Sequence, residues 1–201
     1  ADRRDDILAS HGVHVAGTDF DRRVELASIL PLLGLGARRP ARPGQPPREV
    51  PSAVYHDLAT WHLINTVYYR ARVAELRGMH DWYDDPAHHR RLMRVVDERL
   101  GHAPAGPAGQ AKIDVAEQGH ADITLDEVEP GLRAAVTEPQ AADAIEADLA
   151  RIVDAAAETV RLAGLAPADI GTLYCTGGST GLSALVQRIA AGLPRATVER
   201  G

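Results

Sequence analysis

The stretch LYCTGGSTGLSALVQRIAAG, residues 173 to 192, reads as an apolar strand, a Gly-Gly-Ser-Thr junction and an amphipathic helix. Glycine costs backbone entropy, so Gly177 and Gly178 need a local return at that junction. Two returns fit. One is a tight strand-to-helix turn. The other is a ligand that comes closer to the backbone than a Cβ allows. The junction lies at the carboxyl end of a strand, where open α/β sheets place their ligands. Exposed N–H groups at the next helix start favour anions or polar ligand atoms, and Ser179 or Thr180 can cap that helix. The pattern is neither a Gly-x-x-x-x-Gly-Lys-Ser/Thr phosphate loop nor a dinucleotide Gly-x-Gly-x-x-Gly. Taken alone, it supports a ligand site and a purely structural turn equally.

Working outward, Ile170 to Cys175 is the strand, and Leu182, Leu185, Val186 and Ile189 form the buried stripe of the helix. Ala196 to Val198 closes the unit as a strand parallel to the first. Upstream, Ile145, Leu149, Ile152, Val153, Ala156, Val160 and Ala163 recur at helical spacing, and Gly164 stops that helix. Thr137-Glu-Pro-Gln before it fits a capping box, with Thr137 as N-cap and Gln140 as the third helical residue. Residues 121–128 alternate with period two, and a second strand at 132–136 pairs with them.

The first half is read the same way. His11 to Val15 alternates as a short strand. Thr18 or Asp19 caps a helix that buries Phe20, Val24, Ala27 and Leu30. Residues 34–51, rich in Pro, Gly and Arg, form a loop. Ser52 caps one long helix running towards Arg77, and another helix runs from Pro86 to Leu100. Pro104, Gly106, Pro107 and Gly109 argue against a continuous helix over 101–110. The two ends therefore read as α/β and the middle as mostly helical with a β-hairpin. The expected organisation is a split α/β base, 1–17 and 138–201, with residues 18–137 inserted.

Composition bounds the function. The 201 residues are 45% hydrophobic, enough for a packed core. A net charge of −6 argues against a general nucleic-acid or anionic-membrane surface. No run approaches the roughly 18 apolar residues of a membrane span, and no signal peptide is visible. The single cysteine, Cys175, excludes a disulfide framework and reads as a small buried hydrophobe. A cytoplasmic setting is expected. The start at Ala1 without methionine, and the end after Val198-Glu-Arg-Gly, read as the limits of an excised piece. Of the 22 Lys and Arg residues only Lys112 is lysine, either a functional survivor of compositional bias or an accident of position. The nine histidines make no metal set. His11 and His14 diverge on a strand, His88 and His89 diverge on a helix, and His56 and His62 share no helical face. No Gly-x-Ser-x-Gly elbow is present.

In the order VAGTDFDRR (15–23), AKID (111–114), ADITLDEV (121–128) and LYCTGGSTGL (173–182), the chain resembles the second lobe of the actin-like ATPase domain of seventy-kilodalton heat-shock chaperones. The segments PSAVYHDLATWHLIN (51–65) and ASILPLLG (27–34) resemble the bacterial YegD-type branch more than DnaK itself. The resemblance covers essentially the whole chain. It implies an actin-like (ribonuclease H-like) half domain with an inserted, mostly helical α+β subdomain. It implies ATP or ADP with magnesium in the parent protein, with this lobe on the adenosine side. Gly177, Gly178 and Ser179 would line the nucleoside, Gly17 would lie near the phosphates, and Lys112 would reach the ribose or base edge. The implied partners are an adenosine nucleotide and, through the parent, a co-chaperone or client protein, with neither nucleic acid nor membrane.

The chain departs from that pattern. Ala16 stands where the family has the first of two glycines, and Gly181 where an arginine often stacks on adenine. Ala116 replaces a capping serine, and Gly109 an acidic residue. Each lost hydrogen bond is worth about 0.5–1.5 kcal/mol, so nucleotide binding should be weak. The phosphate loops and catalytic lysine and acid of the family would belong upstream of residue 1. The chain alone is therefore expected not to hydrolyse ATP, which needs positioned phosphates, metal and water. A second reading is an interaction or regulatory module that keeps the fold with degenerate nucleotide binding. A sugar- or acetate-kinase lobe shares the fold, but the order of the motifs argues against it.

Overall fold

The computed structural model describes residues 6–15, 17–39, 46–103, 105–177 and 183–201. It is a mixed helix and strand protein, 57% helical and 11% strand. The chain forms two compact units. Residues 1–19 and 142–201 make one, and Phe20–Ala141 makes the other. Among the described residues no helix is long and apolar enough to cross a membrane.

The Phe20–Ala141 unit is entered through helix α1, Gly17–Val24. A π-helical turn, Glu25–Ile29, and a 3-10 turn, Leu30–Leu33, follow without a break. This changes the phase of the buried face. An α-helical period would bury Ala27, which is instead exposed, whereas Glu25 and Ile29 turn inward beside the expected Leu30. The wider π turn shifts the stripe by about one residue.

The single helix expected from Ser52 to Arg77 is three: α2 (Ala53–Leu58), α3 (Ile64–Val67) and α4 (Arg70–Arg77). Ser52 makes no side-chain cap. The Thr60 hydroxyl donates to the His56 carbonyl at 2.7 Å, and Tyr69 is extended at φ −64°, ψ 135°. Local bonding of this kind competes with the helix ladder. A distant contact supports the break, since the Tyr68 hydroxyl accepts from the Gly101 N–H at 2.9 Å.

Helix α5, Pro86–Asp97, starts at Asp85, whose carboxylate accepts from the Ala87 N–H at 2.8 Å. Its Arg91 reaches Glu129 through two nitrogens, at 3.1 and 2.8 Å, and the Leu32 carbonyl at 3.3 Å. Hydrogen bonding from Arg91 holds the Glu129 carboxyl below the ordinary carboxylate range.

The break expected over 101–110 is also corrected. Residues Leu100–His102 form a 3-10 turn, and α6 runs Ala105–Gln118 straight through Gly106, Pro107 and Gly109. Pro107 is the third helical residue, in the first turn, where an N–H has no helical acceptor to lose. Strands β1 (His120–Thr124) and β2 (Arg133–Thr137) form the antiparallel hairpin, with His120 opposite Thr137 and Thr124 opposite Arg133. Ala121, Ile123, Ala134 and Val136 face the core, alternating with exposed residues as period two requires.

Helix α7, Glu138–Leu162, carries the chain into the other unit. Its start is the expected box. The Thr137 N–H donates to Gln140 Oε1 at 3.0 Å and the Gln140 N–H to Thr137 Oγ1 at 3.5 Å. Strand β3 (Thr172–Cys175), helix α8 (Ser183–Ala191) and strand β4 (Thr197–Arg200) complete that unit. The two strands pair in parallel, with Thr172 opposite Thr197 and Cys175 opposite Arg200. Arg188 on α8 meets Glu146 on α7 with two 2.6 Å hydrogen bonds. The strand expected at 11–15 does not form; those residues have no regular structure. A five-residue alternation needs a neighbouring edge to pair with, and the described sheet pairs only β3 with β4. Of the loop expected at 34–51, residues 40–45 lie outside the described ones.

Candidate functional site

Gly177 ends the run from β3, two residues after Cys175. Its φ of +90° lies in the left-handed region, which a side chain strains and glycine does not. An added Cβ there meets nothing within 4 Å among the described residues. The backbone conformation alone thus favours glycine, and no described residue fills the position above it. Gly178 and Ser179 lie outside the described residues, as do Thr180, Gly181 and Leu182.

Gly17 opens α1, with Asp19 in its first turn. It belongs to the same unit as Gly177. Lys112 belongs to the other unit, on α6, one turn beyond Gly109. Ala16 lies outside the described residues. Gly109 is informative. An added Cβ would sit 3.7 Å from Oδ2 of Asp21. An acidic side chain at position 109 would therefore confront the Asp21 carboxylate.

Cys175 is buried with a free thiol. Among the described residues no three His, Cys, Asp or Glu side chains gather to hold a metal ion. His89 is held by the Leu76 carbonyl at 2.9 Å and packs against the Tyr83 ring at 5.2 Å. His102 stacks edge-on to the exposed Trp61 at 4.4 Å. A groove of about 310 Å³ opens in the Phe20–Ala141 unit between Ala103, Pro107 and residues 124–128.

One titratable group escaped the sequence reading. Glu25 is 5% exposed, and its Oε1 is buried without a hydrogen-bond partner among the described residues. Burial pushes its carboxyl up to about 8, against the attraction of Arg22. The signal that hides it is the π turn, because an α-helical count puts Glu25 off the buried stripe. No protein-family profile matches the chain, and no curated protein matches it.

Proposed function

We propose that this chain is the adenosine-side lobe of an ATP-binding domain of the actin-like kind found in seventy-kilodalton heat-shock chaperones. The observation that supports it best is the Gly177 turn. The run from strand β3 reaches a left-handed glycine that no described residue covers, and β3 is followed two elements on by its parallel partner strand. That arrangement suits a ligand lying against backbone at the carboxyl end of a strand. The motif order, from 15–23 through 111–114 and 121–128 to 173–182, carries the family reading. ATP or ADP with magnesium is the ligand of the parent protein, and a co-chaperone or client its partner. Gly17, Lys112, Gly177, Gly178 and Ser179 are the residues assigned to the nucleotide, and none is assigned to catalysis.

Titration calorimetry with ATP, ADP and adenosine tests the assignment. Weak binding, near the millimolar range, is expected, because one lobe covers only part of the ligand. Gly178→Val should abolish it, and Lys112→Ala should weaken it about tenfold through loss of one charge-assisted contact of about 1–2 kcal/mol. Binding that is equal in wild type and Gly178→Val would overturn the assignment.

A second reading is favoured by Gly109. The Asp21 carboxylate lies against the place where the family carries an acidic side chain. This reading is an interaction or regulatory module in which nucleotide binding has decayed. It predicts no adenosine-nucleotide binding to the wild-type chain at millimolar concentrations.

A further inference from the structure

Glu25 opens the π-helical turn Glu25–Ile29 and lies between Val24, 2% exposed, and Ile29, 0% exposed. A carboxylate buried in that company without a partner for Oε1 is costly, so the closed turn favours the neutral acid. The turn itself is closed by the Leu30 N–H, which donates to the Glu25 carbonyl. We propose that Glu25 is a proton-held latch: the Glu25–Ile29 turn is held closed around the neutral carboxylic acid, and ionisation shifts the turn towards opening.

The charges around the latch are few. On α1, Arg22 is the cation one turn before Glu25, and its Nε donates to Thr60 Oγ1 at 3.1 Å. Asp21 on the same helix lies against Gly109 of α6, the helix that also carries Lys112. Strand β2 turns Ala134 and Val136 inward, and its Arg133 is bound to Thr124 Oγ1. The 3-10 turn Leu30–Leu33 has no charged residue. Among the described residues Arg22 is the charge that favours the carboxylate, and burial outweighs it.

The proton balance is simple. The closed turn holds one proton on Glu25, and opening releases it to water. Opening then gains from rising pH between the ordinary value of 4.5 and the closed value of about 8. Within that window the opening constant rises by up to roughly tenfold per pH unit. Below it both states are protonated, and above it both are ionised, so the dependence flattens at each end. The closed turn is most favoured in acid and least favoured in mild alkali. This latch does not depend on nucleotide binding.

Amide hydrogen exchange, corrected for its intrinsic pH dependence, tests this on wild type and Glu25→Gln between pH 5.5 and 9. The amides from Leu26 to Leu30 should lose protection in wild type by up to about a hundredfold between pH 6 and pH 8, then level off. Glu25→Gln keeps the shape without the titrating proton, so its protection should stay flat. Parallel profiles in the two proteins would overturn the latch. Should Glu25→Gln not fold, carboxyl carbon NMR on the wild type decides. A Glu25 midpoint near 8 is expected, and a midpoint in the ordinary range near 4.5 would overturn it.

Discussion

Gly34 and Gly177 share a backbone requirement and differ in everything around it. Gly34 ends the 3-10 turn Leu30–Leu33 at φ +106°, and Gly177 follows β3 at φ +90°. An added Cβ at Gly34 falls 2.5 Å from the Tyr83 ring and 2.9 Å from the Tyr55 hydroxyl. Those two tyrosines close over the glycine. Their hydroxyls meet at 3.0 Å, and Tyr55 donates to the Leu33 carbonyl at 3.1 Å. At Gly177 the corresponding position is open among the described residues. One glycine is there for the turn and for the packing above it. The other is there for the turn, and the space it leaves is not consumed by described packing. The same dihedral marks a packed core joint at Gly34 and, at Gly177, a turn that no described residue covers.

The largest test of that contrast is Gly34→Val. It adds the strain of a left-handed side chain, about 1–2 kcal/mol, to overpacking against Tyr83 and Tyr55, about 1–3 kcal/mol. A total loss of about 2–5 kcal/mol is expected in urea unfolding followed by tyrosine and tryptophan fluorescence. A loss below about 1 kcal/mol would mean that the two tyrosines move aside and that the joint is soft.

The middle test is Gly177→Ala. Only the backbone strain applies, so a cost of about 1–2 kcal/mol is expected, read by exchange protection in β3 and α8. A cost equal to that of Gly34→Val would show that something closes over Gly177 after all. Adenosine-nucleotide binding measured on the same variant sharpens the point. If the space above Gly177 receives the nucleoside, even a methyl group should weaken binding while the fold survives.

The contrast also explains what could be read from sequence. Gly-Gly after an apolar strand announces a left-handed turn, so the Gly177 conformation was legible. So were the alternation that buries Ala121 and Ile123 and the box that starts α7, because each depends on neighbours in sequence. The breaks in 52–77 were not, since Tyr68 bonds to Gly101 from 33 residues away. Helix α6 is not legible from its Pro and Gly content, because Pro107 falls in the first turn, where its missing N–H has no helical acceptor to lose. Glu25 was hidden by the π turn, which moves the inward face from an α-helical count. Lys112 stands out as the single lysine, yet its proposed assignment to the nucleotide rests on the resemblance, not on any local pattern. The proposed actin-like architecture likewise rests on order among motifs, which no single element reveals.

The smallest expected effect comes from Thr137→Ala, and it asks whether the two turns report on independent regions. Thr137 precedes α7, whose first residues belong with the Gly34 unit while the rest of the helix belongs with Gly177. The variant removes the hydroxyl that accepts from the Gln140 N–H and donates to Gln140 Oε1. It leaves the Thr137 N–H bond to Gln140 Oε1 in place. Half a capping box remains, and the accepted bond is long, so the loss should sit at the low end for caps, about 0.5–1 kcal/mol. Helix ends open locally, so the loss of exchange protection should be confined to the first turn, residues 138–142. Protection at Thr159 and in β3 should not change. Loss of protection that spreads to β3 and α8 would mean that the start of α7 governs both units. The comparison of Gly34 with Gly177 would then describe one cooperative body, and the cost of each glycine substitution would have to be read as shared between them.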